Sequence, residues 1–536
     1  MTAGHERFDY VIVGAGSAGC VLANRLSADP STRVCLIEAG GTDWNPWIHV
    51  PVGYYYTLGR PSADWRFRTE PDDGLGSRTL TYPRGRVLGG TSSINGMVYI
   101  RGQAADFDGW RQQGNIGWSW EDVLPYFRKS EDQARGASKA HGTGGELHVE
   151  DLRVSWSALD AFCEAAVETG IPRVADFNAG DNDGVGYFQV TQKNGWRMSA
   201  ARAFLRPVRR RPNLTIRTKA QAVGIRLRDK RAVSVDYRQR GINASVEADG
   251  EVILAAGAIG SPHLLQLSGV GDARALLAHG IRPLHDLPGV GLNLQDHLTV
   301  RSMYRLGNAK TLNQQLSSMS GRVGMALQYA LFRRGPMTMS PGIVAAFVKS
   351  DASQATADLQ LVGYPLTYEA LGDPPHQFSG ISLAVWLLRP ESRGSIRLRS
   401  PDPYEAPAIK LNLLSARRDR DKAVAGLKMI RTICAAPAMA KMSAVEFVPG
   451  PGCRTDHELA DAVSRYAGAA FHTSGTCKMG QDAYAVVDER LRVRGINGLR
   501  VVDASIMPTI VSGNTNAAAI MIGEKGAAMI LEDRRR

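Results

Sequence analysis

The chain is sparing with cysteine, has few aromatics and contains no long apolar run. Its six cysteines, Cys20, Cys35, Cys163, Cys434, Cys453 and Cys477, are scattered over 536 residues. None forms a C-x-x-C pair or has a histidine at metal-ligand spacing, so neither a disulfide framework nor a metal site is expected. Reduced thiols of this kind fit a cytoplasmic location. No window approaches the ~20 apolar residues of a membrane span. The first apolar run, Tyr10 to Val13, is short, follows acids and leads directly into glycines, so it reads as a strand and not as a signal-peptide core. A G-x-S-x-G elbow is also missing, which removes the competing hydrolase reading. Acids number 52 against 64 bases, a formal charge of +12. Only Arg209 to Arg211 and Arg534 to Arg536 are tight basic clusters; elsewhere the charges interleave. The basic surface is therefore read as solvated, with no nucleic-acid partner and with weak docking to an acidic membrane as the lesser alternative.

What the chain does contain is the composition of a globular enzyme, 44% apolar and 22% charged. Its length suggests two or three domains of roughly 100–200 residues each. Phe8 to Val13 reads as a buried parallel strand, Ser17 to Ser27 as a helix and Arg33 to Glu38 as a second strand, together a βαβ unit. Gly14-Ala15-Gly16-Ser17-Ala18-Gly19 lies at the first strand-to-helix junction, where glycines allow a tight turn and let a pyrophosphate approach the helix N-terminus. Glu38 ends the second strand about 20 residues on, where a carboxylate holds ribose hydroxyls. Gly14, Gly16, Ser17, Ala18, Gly19, Glu38 and Ala39 are thus candidate dinucleotide ligands. This fingerprint serves NAD and FAD alike. A second glycine-rich stretch, Gly85 to Val98, is too far along the chain to serve the same phosphates from the same turn, so it points to a large, extended cofactor.

Further on, Leu214 to Arg217 and Glu251 to Ala256 read as strands returning to the first domain. Between about 300 and 475 longer helices (Gly321 to Phe332, Arg418 to Cys434) and alternating strands (Ser382 to Leu388, Ser395 to Leu398) suggest the floor and walls of a substrate domain. Leu499 to Asp503 and Asn516 to Leu531 read as a closing strand and helix. No internal repeat is visible, so the domains are expected to interleave.

Gly85-Arg86-Val87-Leu88-Gly89-Gly90-Thr91-Ser92-Ser93-Ile94-Asn95 and Gly257-Ala258-Ile259-Gly260-Ser261-Pro262 through Gly271 resemble the two signatures of the glucose-methanol-choline (GMC) oxidoreductases, and the resemblance extends over nearly the whole chain. Phe471-His472-Thr473-Ser474-Gly475-Thr476-Cys477-Lys478-Met479-Gly480 and Asp503-Ala504-Ser505 are similar to the bacterial choline dehydrogenase-like alcohol dehydrogenase branch. The resemblance implies an α/β fold with an α+β substrate domain: a Rossmann-like FAD-binding domain (1–155, 200–300 and 480–536) interleaved with a substrate domain (156–199 and 301–479) built on an antiparallel sheet flanked by helices. It implies FAD as cofactor. Ile94 stands where some relatives carry the histidine that attaches FAD covalently, so the FAD is expected to be non-covalent.

The same resemblance supplies roles. His472 becomes the base that takes the hydroxyl proton of an alcohol while the flavin takes the hydride, and imidazole suits that task near neutral pH. Asn514 becomes the polar partner that stabilises the forming alkoxide. Arg86, Val87, Gly90, Asn95, Gly96, Met97, Val98, Ala222, Asp503, Ala504, Thr515 and Asn516 become cofactor contacts, a helix starting at Asn516 aiming its positive end at the flavin. Phe471, Trp386 and Tyr55 are substrate-pocket candidates. His141 is read as structural, and the Asp296-His297 pair as support for the cofactor domain. The expected activity is oxidation of an alcohol, a primary one being favoured, by a dehydrogenase whose acceptor is a quinone, a cytochrome or oxygen. The alternatives are an oxidase that makes peroxide and a non-redox lyase or photodecarboxylase. Choline is disfavoured for want of an aromatic cage with a carboxylate.

Overall fold

The computed structural model describes residues 6–370 and 372–535. Strand β1 (Glu6–Val13), helix α1 (Ser17–Leu26) and strand β2 (Val34–Ile37) form the expected βαβ unit. β1 and β2 run parallel, from Tyr10 opposite Val34 to Val13 opposite Ile37. Val11, Ile12, Val34, Cys35 and Leu36 are fully enclosed, as continuous apolar strands must be when both sheet faces are covered. The other elements follow in chain order. β3 (Leu214–Arg217) adds parallel to β2. β4 (Ala220–Arg228), β5 (Arg231–Gln239) and β6 (Ile242–Leu254) form an antiparallel meander. β6 is long enough to serve two partners: its first half pairs with β5, while Val252 to Leu254 run parallel to β7 (Leu499–Val501). β6 also pairs with β1 along most of its length. The carboxyl ends of β1, β2, β6 and β7 therefore emerge together, the edge at which open α/β sheets bind ligands. Helices α2 (Gly257–Leu267) and α3 (Asn516–Arg535) begin at this edge.

A second sheet of seven strands, antiparallel throughout, draws on both halves of the remaining chain. Its path runs Val445–Val448, Leu298–Arg305, Gly380–Leu387, Leu359–Tyr364, Val344–Val348 and Gly184–Tyr187, with Ala467–Ala469 on the second of these. One face carries Leu361, Leu383 and Val385 into a core shared with the helices Ser157–Glu168 and Arg417–Ala435. The two-residue alternation of a strand sends Val362, Tyr364, Ala384 and Trp386 to the opposite face, which walls a cavity. Gln189–Val190 pairs with Val98–Tyr99 and with Glu150–Asp151 in a small separate sheet. The 156–199 stretch therefore contributes to two sheets.

One expectation fails. The helix read as Gly321 to Phe332 runs Met319–Phe332 and is neither floor nor wall, since none of its residues lines the cavity. Only Tyr329 along it is buried.

The strand-helix junction depends on close backbone approach. Gly14 has φ +102°, a left-handed value that costs a residue with a side chain. A Cβ on Gly19 would stand 1.9 Å from the Gly14 carbonyl oxygen. Gly19→Ala is therefore expected to destabilise the fold by about 1–3 kcal/mol or more, as overpacking does. A thermal melt about one to three degrees below that of the parent protein, or lower, is the readout for a chain of this size, and an unchanged melt would contradict this packing.

Candidate functional site

Between the two sheets lies a cavity of about 850 Å³. It is walled on one side by the carboxyl edge of the β1–β7 sheet and on the other by the antiparallel sheet. Tyr55 and Tyr404 line it while remaining 41% and 48% exposed, so the cavity opens beside each of them.

At the dinucleotide end the two glycine-rich stretches, far apart in the chain, meet. The Gly89 N–H donates to the Ala15 carbonyl at 2.8 Å. Gly90, at φ +53°, approaches so closely that a Cβ there would lie 2.7 Å from the Gly16 Cα. Glu38 is buried and its carboxylate accepts from Ala15 N–H at 2.9 Å and Gly40 N–H at 2.7 Å. Burial, partly offset by those two donors, raises its pKa to about 7. Arg86 lies over the Trp65 ring at 4.7 Å, and its Nε is buried with no hydrogen-bond partner. A glycine cradle, an orphaned guanidinium nitrogen and the positive ends of α1 and α3 form a site for an anionic dinucleotide. Ser17 on α1 donates to Asn516 Oδ1 on α3 at 2.7 Å, tying the two helix starts together.

At the other end the functional side chains converge on His472. Its Nε2 lies 3.0 Å from Asn514 Nδ2 and its Nδ1 2.9 Å from His297 Nδ1. His297 Nε2 lies 3.2 Å from the Leu388 carbonyl. A carbonyl only accepts, so His297 carries its proton on Nε2 and its Nδ1 accepts from His472 Nδ1–H. The Nε2 lone pair of His472 is then left toward the cavity, with Asn514 donating to it. Both imidazoles are held neutral: burial lowers His297 to about 4, and burial, then His297 and the Arg84 guanidinium, hold His472 well below 6.5.

The backbone of this segment is braced from several sides. The His472 N–H donates to Asp296 Oδ1 at 2.7 Å, and the Tyr82 hydroxyl donates to Asp296 Oδ2. The Thr473 hydroxyl in turn reaches the Tyr82 oxygen at 2.7 Å. Phe471 has φ +66°, strained for an aromatic residue, and its carbonyl accepts from Arg84 Nη1 at 2.7 Å. On the facing loop the Asp106 carboxylate accepts from both the N–H and the hydroxyl of Ser512, each at 2.7 Å, two residues before Asn514.

All the candidate residues line this one cavity except Gly19 and Val87. Gly19 packs beneath Gly14, and Val87 is enclosed behind the strap that its neighbour Leu88 makes to the Gly41 carbonyl at 3.0 Å. Asp503 lines the cavity, yet its carboxylate is taken by Gly257 N–H, the Ser261 hydroxyl and Ser505 N–H, so it braces the start of α2. Trp386 stands with its ring 5.2 Å from that of His472. His141 lies between Glu131 at 3.0 Å and Asp176 at 2.9 Å, away from the cavity. The reading of Asp296-His297 as mere support for the cofactor domain needs correction, because both side chains reach the segment that carries His472. An adjacent Asp-His pair is itself a signal, but 175 residues separate His297 from its partner, and a single sequence holds no trace of that pairing.

Family profiles described as GMC oxidoreductase match residues 8–299 and 390–523. The chain is 45% identical over 528 residues to the alcohol dehydrogenase [acceptor] of Pseudomonas putida, covering 98% of this chain and 96% of that one. It is 41% identical over 526 residues to the oxygen-dependent choline dehydrogenase of Brucella canis, covering 98% and 95%. Among solved structures it is similar to pyridoxine 4-oxidase from Mesorbium loti, with TM-score 0.88, 34% identity and coverage of 97% and 98%. It is also similar to formate oxidase, with TM-score 0.91, 26% identity and 99% of each chain covered. The sequence, the fold and the cavity agree, and the chain belongs to the GMC oxidoreductase family.

Proposed function

We propose that this FAD-dependent enzyme oxidises neutral primary alcohols with apolar tails to aldehydes and passes the electrons to an acceptor other than oxygen. The observation that carries the reading is the neutral His472, its Nε2 directed at Asn514 3.0 Å away, at the apolar end of the cavity. Met339, Val362, Leu366, Ala384, Trp386 and Phe471 line that end. The cavity's carboxylates are Glu38, Glu405 and Asp503. Glu38 and Asp503 hold backbone N–H groups, and Glu405 accepts from Ser400 beside the Pro403–Pro407 wall. None faces His472, so a quaternary ammonium such as choline would lie there without a counter-charge. The 45% identity to an alcohol dehydrogenase [acceptor] supports the dehydrogenase reading.

The chemistry follows from where the protons sit. The alcohol O–H gives its proton to His472 Nε2, and as the carbinol C–H bond breaks with its electron pair, the C–O bond becomes C=O. Bound FAD supplies the two-electron acceptor for that hydride. Asn514 donates an amide N–H to the developing alkoxide, and its Oδ1, buried and unpartnered, is free to accept from an incoming hydroxyl. His297 keeps the proton of His472 on Nδ1, so that the lone pair needed for the reaction is already in place. In this reading FAD is held non-covalently, because Ile94, which lines the cavity, has no nucleophile to bond it.

Three outcomes are expected. His472→Ala should keep its yellow chromophore while anaerobic flavin bleaching by alcohol slows about 10²–10⁴-fold, the usual contribution of a general base. Bleaching at the parent rate would show the base to be elsewhere. His297→Phe leaves the buried Nδ1–H of His472 without an acceptor, a loss of about 1–3 kcal/mol that should cut kcat roughly ten- to a hundred-fold with little change in KM. An unchanged kcat in that variant would remove His297 from the mechanism. His472 acts as a base only when neutral, and its pKa lies below 6.5. Lowering the pH through that pKa charges the ring, so the acid limb of kcat/KM should lie below 6.5. A limb above 7 would mean that the imidazole is charged in the resting enzyme.

A further inference from the structure

The Met319–Phe332 helix is largely apolar, and most of its apolar residues face outward. Met319, Val323, Leu327 and Leu331 recur every fourth residue and form one stripe, and they are 74%, 50%, 55% and 71% exposed. Ala326, Ala330 and Gly324 flank the stripe, and all three are exposed. The opposite side is anchored through Tyr329, whose hydroxyl donates to the Gly195 carbonyl at 3.0 Å and whose ring meets Trp196. A surface helix ordinarily turns such a stripe inward, so an outward one calls for an apolar partner.

Charge narrows the choice of partner. From Leu306 to Ser350 the chain has no Asp or Glu, while it carries Lys310, Arg322, Arg333, Arg334 and Lys349. Arg322 and Arg334 are exposed on or beside the helix. The turn that ends the helix, Pro336–Thr338, packs against Pro51–Gly53. That short segment belongs to a stretch bearing the exposed aromatics Trp44, Trp47, Tyr55 and Tyr56. The Trp47 and Tyr56 rings pack at a 36° tilt with centroids 4.4 Å apart, and Tyr55 stands at one opening of the cavity. An apolar helix stripe flanked by arginines, next to a rim of Trp and Tyr, has the make-up of a surface that lies in a lipid headgroup layer. No helix among the described residues is long and apolar enough to cross a membrane.

We propose that the Met319–Phe332 helix and the Trp44–Tyr56 rim seat the protein on an anionic phospholipid bilayer, with the cavity opening at the lipid surface. The stripe would enter the acyl boundary while Arg322 and Arg334 pair with lipid phosphates. A second copy of the chain suits this face less well. A two-fold contact across the helix would bring its arginines against their own symmetry mates, with no acid in the segment to separate them. The docking does not depend on which alcohol the enzyme oxidises.

The test is flotation of the FAD-loaded protein with vesicles of phosphatidylcholine alone and of phosphatidylcholine with phosphatidylglycerol. Co-flotation with the anionic vesicles is expected, weakened when salt shortens the screening length. The double variant Leu327→Glu, Leu331→Glu should lose vesicle binding by more than about ten-fold, because apolar burial and attraction to the anionic headgroups are both removed. Its melting temperature and its oxidation of alcohol with a soluble dye should stay at parent values. Arg334→Gln, which leaves the apolar stripe itself unchanged, should bind more weakly with a shallower salt dependence. Absence of parent binding to anionic vesicles would overturn the proposal, as would a double variant that binds undiminished. A parent dimer that becomes monomeric in the double variant, with no vesicle binding by either, would assign the stripe to self-association instead.

Discussion

Everything at the reactive end of the cavity depends on one buried nitrogen keeping its lone pair. As the proposed base, His472 is useful only if it is uncharged and only if its free electron pair points into the cavity, and the two conditions have different physical sources. Burial together with the nearby His297 and Arg84 keeps the ring neutral. Orientation comes from a chain of fixed donors and acceptors that begins at the Leu388 carbonyl, which can only accept, and passes through His297. Each link in that chain sets the next, so the tautomer of His472 is decided by a backbone carbonyl that it reaches only through His297.

Holding such an arrangement needs strain and bracing on both sides. Phe471 sits in the left-handed region one residue before His472 and is held there by Arg84. Asp296, raised to about 6 by burial, fixes the His472 backbone, and Tyr82 and Thr473 extend that network. Across the cavity Asp106 grips Ser512 in the loop that carries Asn514, while Asn293 and Gln295 tie that loop to the His472 segment by bonding to Pro508 and Ile510 on one side and to Ser474 and Gly475 on the other. These shared partners hold the two loops side by side, and Asn514 approaches His472 to 3.0 Å between them. The carboxyl edge of the first sheet and the antiparallel sheet thus share a boundary, the cavity in which the proposed reaction would run.

Local features were readable and long-range ones were not. The turn at Gly14 to Gly19 is a matter of backbone sterics confined to a few residues, so the glycines themselves announce it. The strands at Leu214–Arg217 and Leu499–Val501 are apolar runs of the right length and took their places in the first sheet. His472 and Asn514 were picked out by resemblance alone, since a histidine or an asparagine in isolation carries no such message. His297 was misjudged because its partner is brought near only by the completed fold. The Met319–Phe332 helix was misjudged for another reason: spacing reveals that a helix has an apolar side, but not whether protein or solvent meets it. Gly90 against Gly16 is the favourable case: the two glycine-rich stretches were assigned from the sequence to one extended cofactor, and the fold adds their direct backbone contact.

The central claim concerns where protons reside, and it can be observed without turnover. Nitrogen NMR of ¹⁵N-histidine-labelled, FAD-loaded protein near neutral pH, with His472 and His297 assigned by replacing each in turn, reports the protonation of both rings. The account requires His472 to be neutral with hydrogen on Nδ1 and a bare Nε2, and His297 to be neutral with hydrogen on Nε2. A resting imidazolium at 472, or hydrogen on its Nε2, would contradict it.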